Sequence, residues 1–226
     1  MRKPPSILSG AAFLLVGCDD SSHVVEDGIL EPPWRIESPE ALIEALETSY
    51  RTRDIDLFAS LLANPDVHGV GFVFCSCPEA PQGQVSWGYE EEVRIHRRMF
   101  EPENPEPGED PLPPDVWLQS IDLSLTRQTD FEPHPDLCPG DDLDELDPQR
   151  WLASGARYST SVFLQTQGQT DFRVEGMSIF VVIEDLSKEV GDDGKFLLYR
   201  WIELEPSGIH RSGDIRWWSE VKGLYR

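Results

Sequence analysis

The chain has 226 residues, with 42 Asp and Glu against 19 Lys and Arg and a formal net charge of −23. A surface this acidic argues against a nucleic-acid-binding face, which needs basic side chains against phosphate, and it opposes lying flat on anionic lipid. The length is sufficient for one substantial domain with its own core.

The first stretch sets the compartment. Arg2 and Lys3 precede an apolar stretch of eleven residues, Ile7 to Gly17, that leads into Cys18. A helix needs about 20 residues to span a bilayer, so residues 1–17 read as a secretory signal rather than a membrane span. The last four residues, Leu15-Val16-Gly17-Cys18, resemble the bacterial lipobox. That resemblance implies cleavage before Cys18 and lipid attachment to it, which places the protein at the inner or outer membrane of a cell envelope. Two or three acyl chains, at about 0.8 kcal/mol per buried CH₂, make a stable anchor. Cleavage removes two cations and no acid, which deepens the net charge to −25. Cys75, Cys77 and Cys138 then remain. A bridge between residues two apart is strained, so the expected disulfide joins Cys75 or Cys77 to Cys138.

Residues 18–37 are polar, carry Glu31-Pro32-Pro33 and read as a tether. The domain follows, residues 38–226. Ser38-Pro39-Glu40 announces a helix by a hydroxyl cap, a proline in the first turn and an early acid. Its apolar face is Ala41, Leu42, Ala45, Leu46, Ser49 and Tyr50. A second helix from Asp54 buries Leu57, Phe58, Leu61 and Leu62 and is expected to stop at Asn64-Pro65. Val67 to Ser76 reads as a strand. Ser86 is the expected cap of a third helix reaching Phe100, with Glu90, Glu91 and Glu92 early and Arg94, Arg97 and Arg98 late, which complements the helix dipole. Tyr89, Val93, His96 and Phe100 share its apolar face, widened by Trp87, Ile95 and Met99.

Two acidic insertions, near 101–115 and 130–150, bracket the first of a series of strands. That series is Val116 to Thr126, Arg157 to Thr166, Phe172 to Ile183 and Phe196 to Leu204, and its short connections predict an antiparallel meander. A last piece, Ile215 to Tyr225, brings Trp217, Trp218, Val221 and Leu224 to close one end of the core.

Three helices and a curved antiparallel sheet make an α+β architecture. The order of SPEALIEALETSYRTRDIDLFASLLANPDVHGVGFVF, WGYEEEVRIHRRMF and the strands ending RWIELE and WWSEVKGLY resembles the NTF2-like (SnoaL-like) superfamily. The resemblance implies a cone, with helices on the concave face of the sheet and a pocket at its wide end. It implies either small-molecule enzymes of isomerase, dehydratase or hydrolase type, or non-catalytic binding and dimerising modules.

His96, on the apolar face of its helix, with Asp122 as a carboxylate partner, is the candidate general base; a hydrogen-bonded core histidine is the plainer alternative. Arg200 alternates with apolar neighbours and would point inward to pair with an anion. Tyr158 and Trp117 join His96 and Arg200 as candidate ligand contacts. Cys75-x-Cys77 with His134 and Cys138 is too tightly spaced for an ordinary zinc site, and residues 141–147 lack the glycine and spacing of an EF-hand. No P-loop, G-x-S-x-G, H-E-x-x-H or G-x-G-x-x-G occurs, so neither metal nor cofactor is expected. The expected partners are the membrane through Cys18 and either a small apolar ligand or a protein, with a homodimer through the sheet or a structural envelope role as further readings.

Overall fold

Helix α1 (Pro39–Thr52) starts where its cap dictates: Ser38 Oγ accepts the Ala41 N–H at 3.1 Å. It ends at Arg53, whose left-handed backbone (φ 54°) returns its N–H to the Ser49 and Tyr50 carbonyls. Asp54 caps α2 (Ile55–Leu61) by accepting the Leu57 N–H at 2.8 Å. The next signal reads differently from expectation. Asn64-Pro65-Asp66 repeats the cap–proline–acid order of Ser38-Pro39-Glu40, and it opens a one-turn helix, α3 (Pro65–His68), where a strand is expected. The strand itself, β1 (Val73–Ser76), begins only after Gly69 turns the chain at φ 74°. Ser86 lies in a short strand, β2 (Ser86–Gly88), and Gly88 takes the cap position of α4 (Tyr89–Phe100).

The computed structural model describes residues 36–76, 84–133, 135, 143, 146–168, 171–204 and 217–226. All belong to one compact unit, 34–226. The signal and its Cys18, the tether as far as residue 35, Cys77, His134 and Cys138 lie outside the described residues, as does most of 136–145.

The strand series is β3 (Leu118–Arg127), β4 (Glu132–Pro133), β5 (Trp151–Thr166), β6 (Asp171–Asp185) and β7 (Phe196–Glu203). The sheet runs β2-β1-β7-β6-β5-β3, with β4 pairing β5 beyond the end of β3. The meander from β3 to β7 is antiparallel as its short turns require, and Gly191 and Gly194 (φ 97° and 70°) make the β6–β7 turn. The sheet is mixed rather than wholly antiparallel, because β1 joins β7 in parallel. The chain between the two strands is long enough for such a crossover.

Pairing of Ala156 with Phe180, of Tyr158 with Ser178 and of Phe180 with Trp201 fixes which side chains share the helix-covered face. Tyr50 from α1 meets Trp201 there at a ring separation of 6.4 Å. The opposite face is apolar where Ile179, Val181, Ile183, Leu197 and Ile202 lie, and all five are buried. Pro135 sits over Gly155, whose strand partner is Val181, and so covers part of that face. The rest, around Ser159, Ser161, Arg173 and Glu175, is polar apart from the exposed Phe163. The α+β layering with helices on one face of the sheet is therefore as expected. Short α3 and the C-terminal helix α5 (Trp218–Gly223) bring the described α-helices to five rather than three.

Candidate functional site

The centre of the molecule is a polar cluster inside an aromatic core. On α4 the buried positions are Glu92, Ile95, His96, Met99 and Phe100, a stripe at helical spacing. Tyr89 and Val93, expected on that face, are only half-buried, and Glu92 takes the inward place. Its carboxylate accepts the Trp87 indole N–H on one oxygen at 2.5 Å and the Lys222 ammonium on the other at 2.6 Å. Glu92, His96 and Lys222 are all fully buried.

Burial alone would push the Glu92 carboxyl up, but Lys222, His96 and the hydrogen bonds from Lys222 and Trp87 outweigh it and hold it below the usual range. Burial pulls the Lys222 ammonium down, and Glu92 restores part of that. Four rings enclose the ammonium: Phe74 at 3.8 Å, Trp201 at 4.4 Å, Trp218 at 5.4 Å and Trp87 at 5.7 Å to their centroids. Glu203 on β7 seats α5 by accepting the backbone N–H groups of Trp218 and, at 3.2 Å, Ser219.

His96 is fixed one turn along α4. Its Nδ1 lies 2.9 Å from the Glu92 carbonyl oxygen, which can only accept, so Nδ1 carries the proton and Nε2 accepts from the Tyr50 hydroxyl at 2.5 Å. Phe58 stacks on the ring at 3.9 Å, and Tyr50 and Phe100 meet it edge-on. Burial holds the imidazole neutral, with a pKa of about 4; Glu92 pulls it up and Lys222 pushes it down. Burial, with Glu92 adding to it, also drives the Tyr50 hydroxyl well above its ordinary value. Both ring nitrogens are engaged and no part of the ring could touch even a water molecule. A general base must reach the proton it removes. His96 is a satisfied core histidine.

The other expected residues do not converge on it. Asp122 is exposed because β3 alternates, with Ile121 and Leu123 facing the core and Asp122 facing away, so the expected His96–Asp122 pair does not form. Arg200 is buried but pairs with Val181 on the face opposite Trp201. There its guanidinium donates to the Gly71 and Tyr199 carbonyls at 3.0 Å and lies 3.6 Å over the Tyr199 ring, so it is spent on structure. A register shift between Val181 and Val182 breaks the simple alternation that would aim it inward. Tyr158 is buried on the core face between Phe131 and Phe180, and burial raises its hydroxyl to about 12. Trp117 is half-buried and donates to the Leu112 carbonyl at 2.9 Å. A cavity of about 140 Å³ lies elsewhere, between Glu132, Pro135, Arg157 and Ile179.

No protein-family model matches the chain, and no curated protein matches it. Among solved structures it is similar to a protein of Novosphingobium aromaticivorans provisionally named an aromatic ring hydroxylase, at 14% identity over 75% of this chain and 87% of that one, TM-score 0.44. It is similar to a protein of Streptomyces avermitilis provisionally named a dehydratase of the NTF2-like family, at 12% identity over 77% and 96%, TM-score 0.43. A Mycobacterium tuberculosis protein of unknown function gives 14% over 82% and 88%, TM-score 0.42. Likeness this distant brings no activity or ligand to the chain.

Cys75 is buried with its thiol free. Among the described residues no group of His, Cys, Asp and Glu is arranged to hold a metal ion, and no helix is long and apolar enough to cross a membrane. Glu92 and Lys222 are what sequence reasoning missed. Glu92 stands in a run of three acids that the helix dipole already accounts for, and Lys222 stands in a terminal piece dominated by tryptophans. The signal that marks them is a lone lysine within Trp217-Trp218-x-x-Val221-Lys222, with an acid one turn before an inward histidine.

Proposed function

We propose that this chain is a lipid-tethered binding module of the cell envelope, built on an NTF2-like domain and without catalytic machinery of its own. The observation that carries the non-catalytic reading is the closed interior: the imidazole that would act as base is sealed, and the carboxylate beside it is committed to Lys222 and Trp87. The lipobox-like Leu15-Val16-Gly17-Cys18 supports the tether, and helices layered on one face of a curved sheet support the NTF2-like reading.

Native mass spectrometry of the full chain purified from its own host tests both parts. The expected mass is that of a chain starting at Cys18 and carrying two or three acyl groups, and Cys18→Ser moves the protein to the soluble fraction. An unacylated chain, or membrane attachment that survives Cys18→Ser, refutes the tether. A neutral or anionic small molecule retained at full occupancy in the core refutes the closed interior.

A further inference from the structure

The Lys222 ammonium occupies a site built as a receptor for such a group. Aromatic faces surround it, a carboxylate oxygen meets it at 2.6 Å, and the walls come from four separate parts of the chain: β1 (Phe74), the β2–α4 junction (Trp87, Glu92), β7 (Trp201) and α5 itself (Trp218). We propose that this cage is a recognition site for a primary alkylammonium compound, held closed in cis by Lys222 and open to that ligand when α5 lifts away.

Three observations favour an occupant that can be exchanged over a fixed structural pair. A buried ion pair is seldom more stabilising than apolar residues of the same volume, so packing alone does not call for Lys and Glu here. Helix α5 has six residues, too few to be stable without its docking contacts. One polar group at its seat is left without a well-formed bond. The Trp218 indole N–H is buried, with the Tyr50 hydroxyl as its polar neighbour but no hydrogen bond of good geometry among the described residues. With α5 removed, Phe74, Trp87, Trp201 and Glu92 remain as three walls and an anionic floor. The chain's net charge of −23 would raise the local concentration of cations. The ligand class follows from the floor: a primary ammonium can both stack and donate to Glu92, whereas a quaternary one has no N–H to give.

The test is rescue. Lys222→Ala removes Cγ, Cδ, Cε and Nζ, the heavy atoms of n-propylammonium. The full-length Lys222→Ala chain, purified in mild detergent, is unfolded in urea at increasing concentrations of n-propylammonium, 1-propanol or tetramethylammonium. The expected result is a saturable rise in the urea midpoint, with n-propylammonium effective at a concentration more than about tenfold below that of 1-propanol, since the desolvated cation–π contacts and the charged hydrogen bond act only on the cation. The wild-type chain, where Lys222 competes, should need at least about tenfold more amine. Where Lys222→Ala does not accumulate folded, the yield on refolding from urea is read instead, and it should rise only with n-propylammonium. Equal effects of amine and alcohol, equal responses of variant and wild type, or no rescue at all would overturn the proposal. It rests on the non-catalytic reading, but the two fail separately: the acylation and mass measurements do not depend on rescue, and an untethered chain could still be rescued.

Discussion

Replacing His96 by glutamine tests whether the core is as closed as its geometry implies. In the folded chain burial sets the His96 pKa at about 4, against about 6.5 for an unperturbed histidine. Below the unfolded value the unfolded chain binds a proton that the folded one excludes. The neutral ring's contribution is therefore complete above about pH 6.5 and is lost progressively as pH falls to about 4. At about 1.36 kcal/mol per unit, a depression of this size corresponds to roughly 3 kcal/mol. Other groups also contribute to the pH dependence. Glu203 and Glu47 are pushed up mainly by burial, and Asp185 is held down because its hydrogen bonds from Ser187 and Arg150 outweigh its burial. The informative quantity is thus the difference between wild type and His96→Gln, not either curve alone. Urea unfolding followed by tryptophan fluorescence, repeated between about pH 7 and pH 4, should show the wild-type advantage shrinking by roughly 2–3 kcal/mol. Parallel curves, or an imidazole NMR signal that titrates near 6.5 in the folded protein, would show that water reaches the ring and that the sealed core is wrong.

The buried pair makes a sharper prediction for a double-mutant cycle. Lys222→Met strands the Glu92 charge and should cost about 3–5 kcal/mol in urea melts. Adding Glu92→Met should recover much of that while leaving the Trp87 N–H without its acceptor, a residual cost of about 1–3 kcal/mol; simple additivity would exclude the pairing. On the other face of the sheet, Gly155→Ala places a Cβ 2.3 Å from Pro135 Cβ and should cost about 1–3 kcal/mol in the same assay, with a neutral result indicating that Pro135 moves aside freely.

Local physics was readable residue by residue wherever it had a local cause. The Ser38 cap of α1, the start of α2 after Asp54 and the antiparallel order of β3 to β7 all appear where cap chemistry, periodicity and short connections put them. Errors arose where one signal had two readings. Asn64-Pro65 was a stop for α2 and also a start for α3. Ser86 suits a helix cap and also a short strand paired with β1, and pairing won. The core cluster lay beyond reach for a different reason: Glu92 and Lys222 are 130 residues apart, and nothing in the period of either segment says that they meet. A lysine within an apolar piece reads as a surface residue whose stem is buried, until the partner carboxylate is known.

The seating of α5 also bears on the order in which the protein can be made. Arg226 bonds Glu91 across 135 positions, Tyr225 donates to the Val116 carbonyl across 109, and Lys222 neutralises Glu92 across 130. A growing chain must thus extend 130 residues past Glu92 before its core charge has this counter-ion. Every shorter intermediate must leave Glu92 in water, protonate it or bury its charge unpaired, each at a cost relative to the finished core. Maturation of the core is gated by the emergence of α5, and a chain interrupted before Lys222 holds a core carboxylate without its ammonium partner.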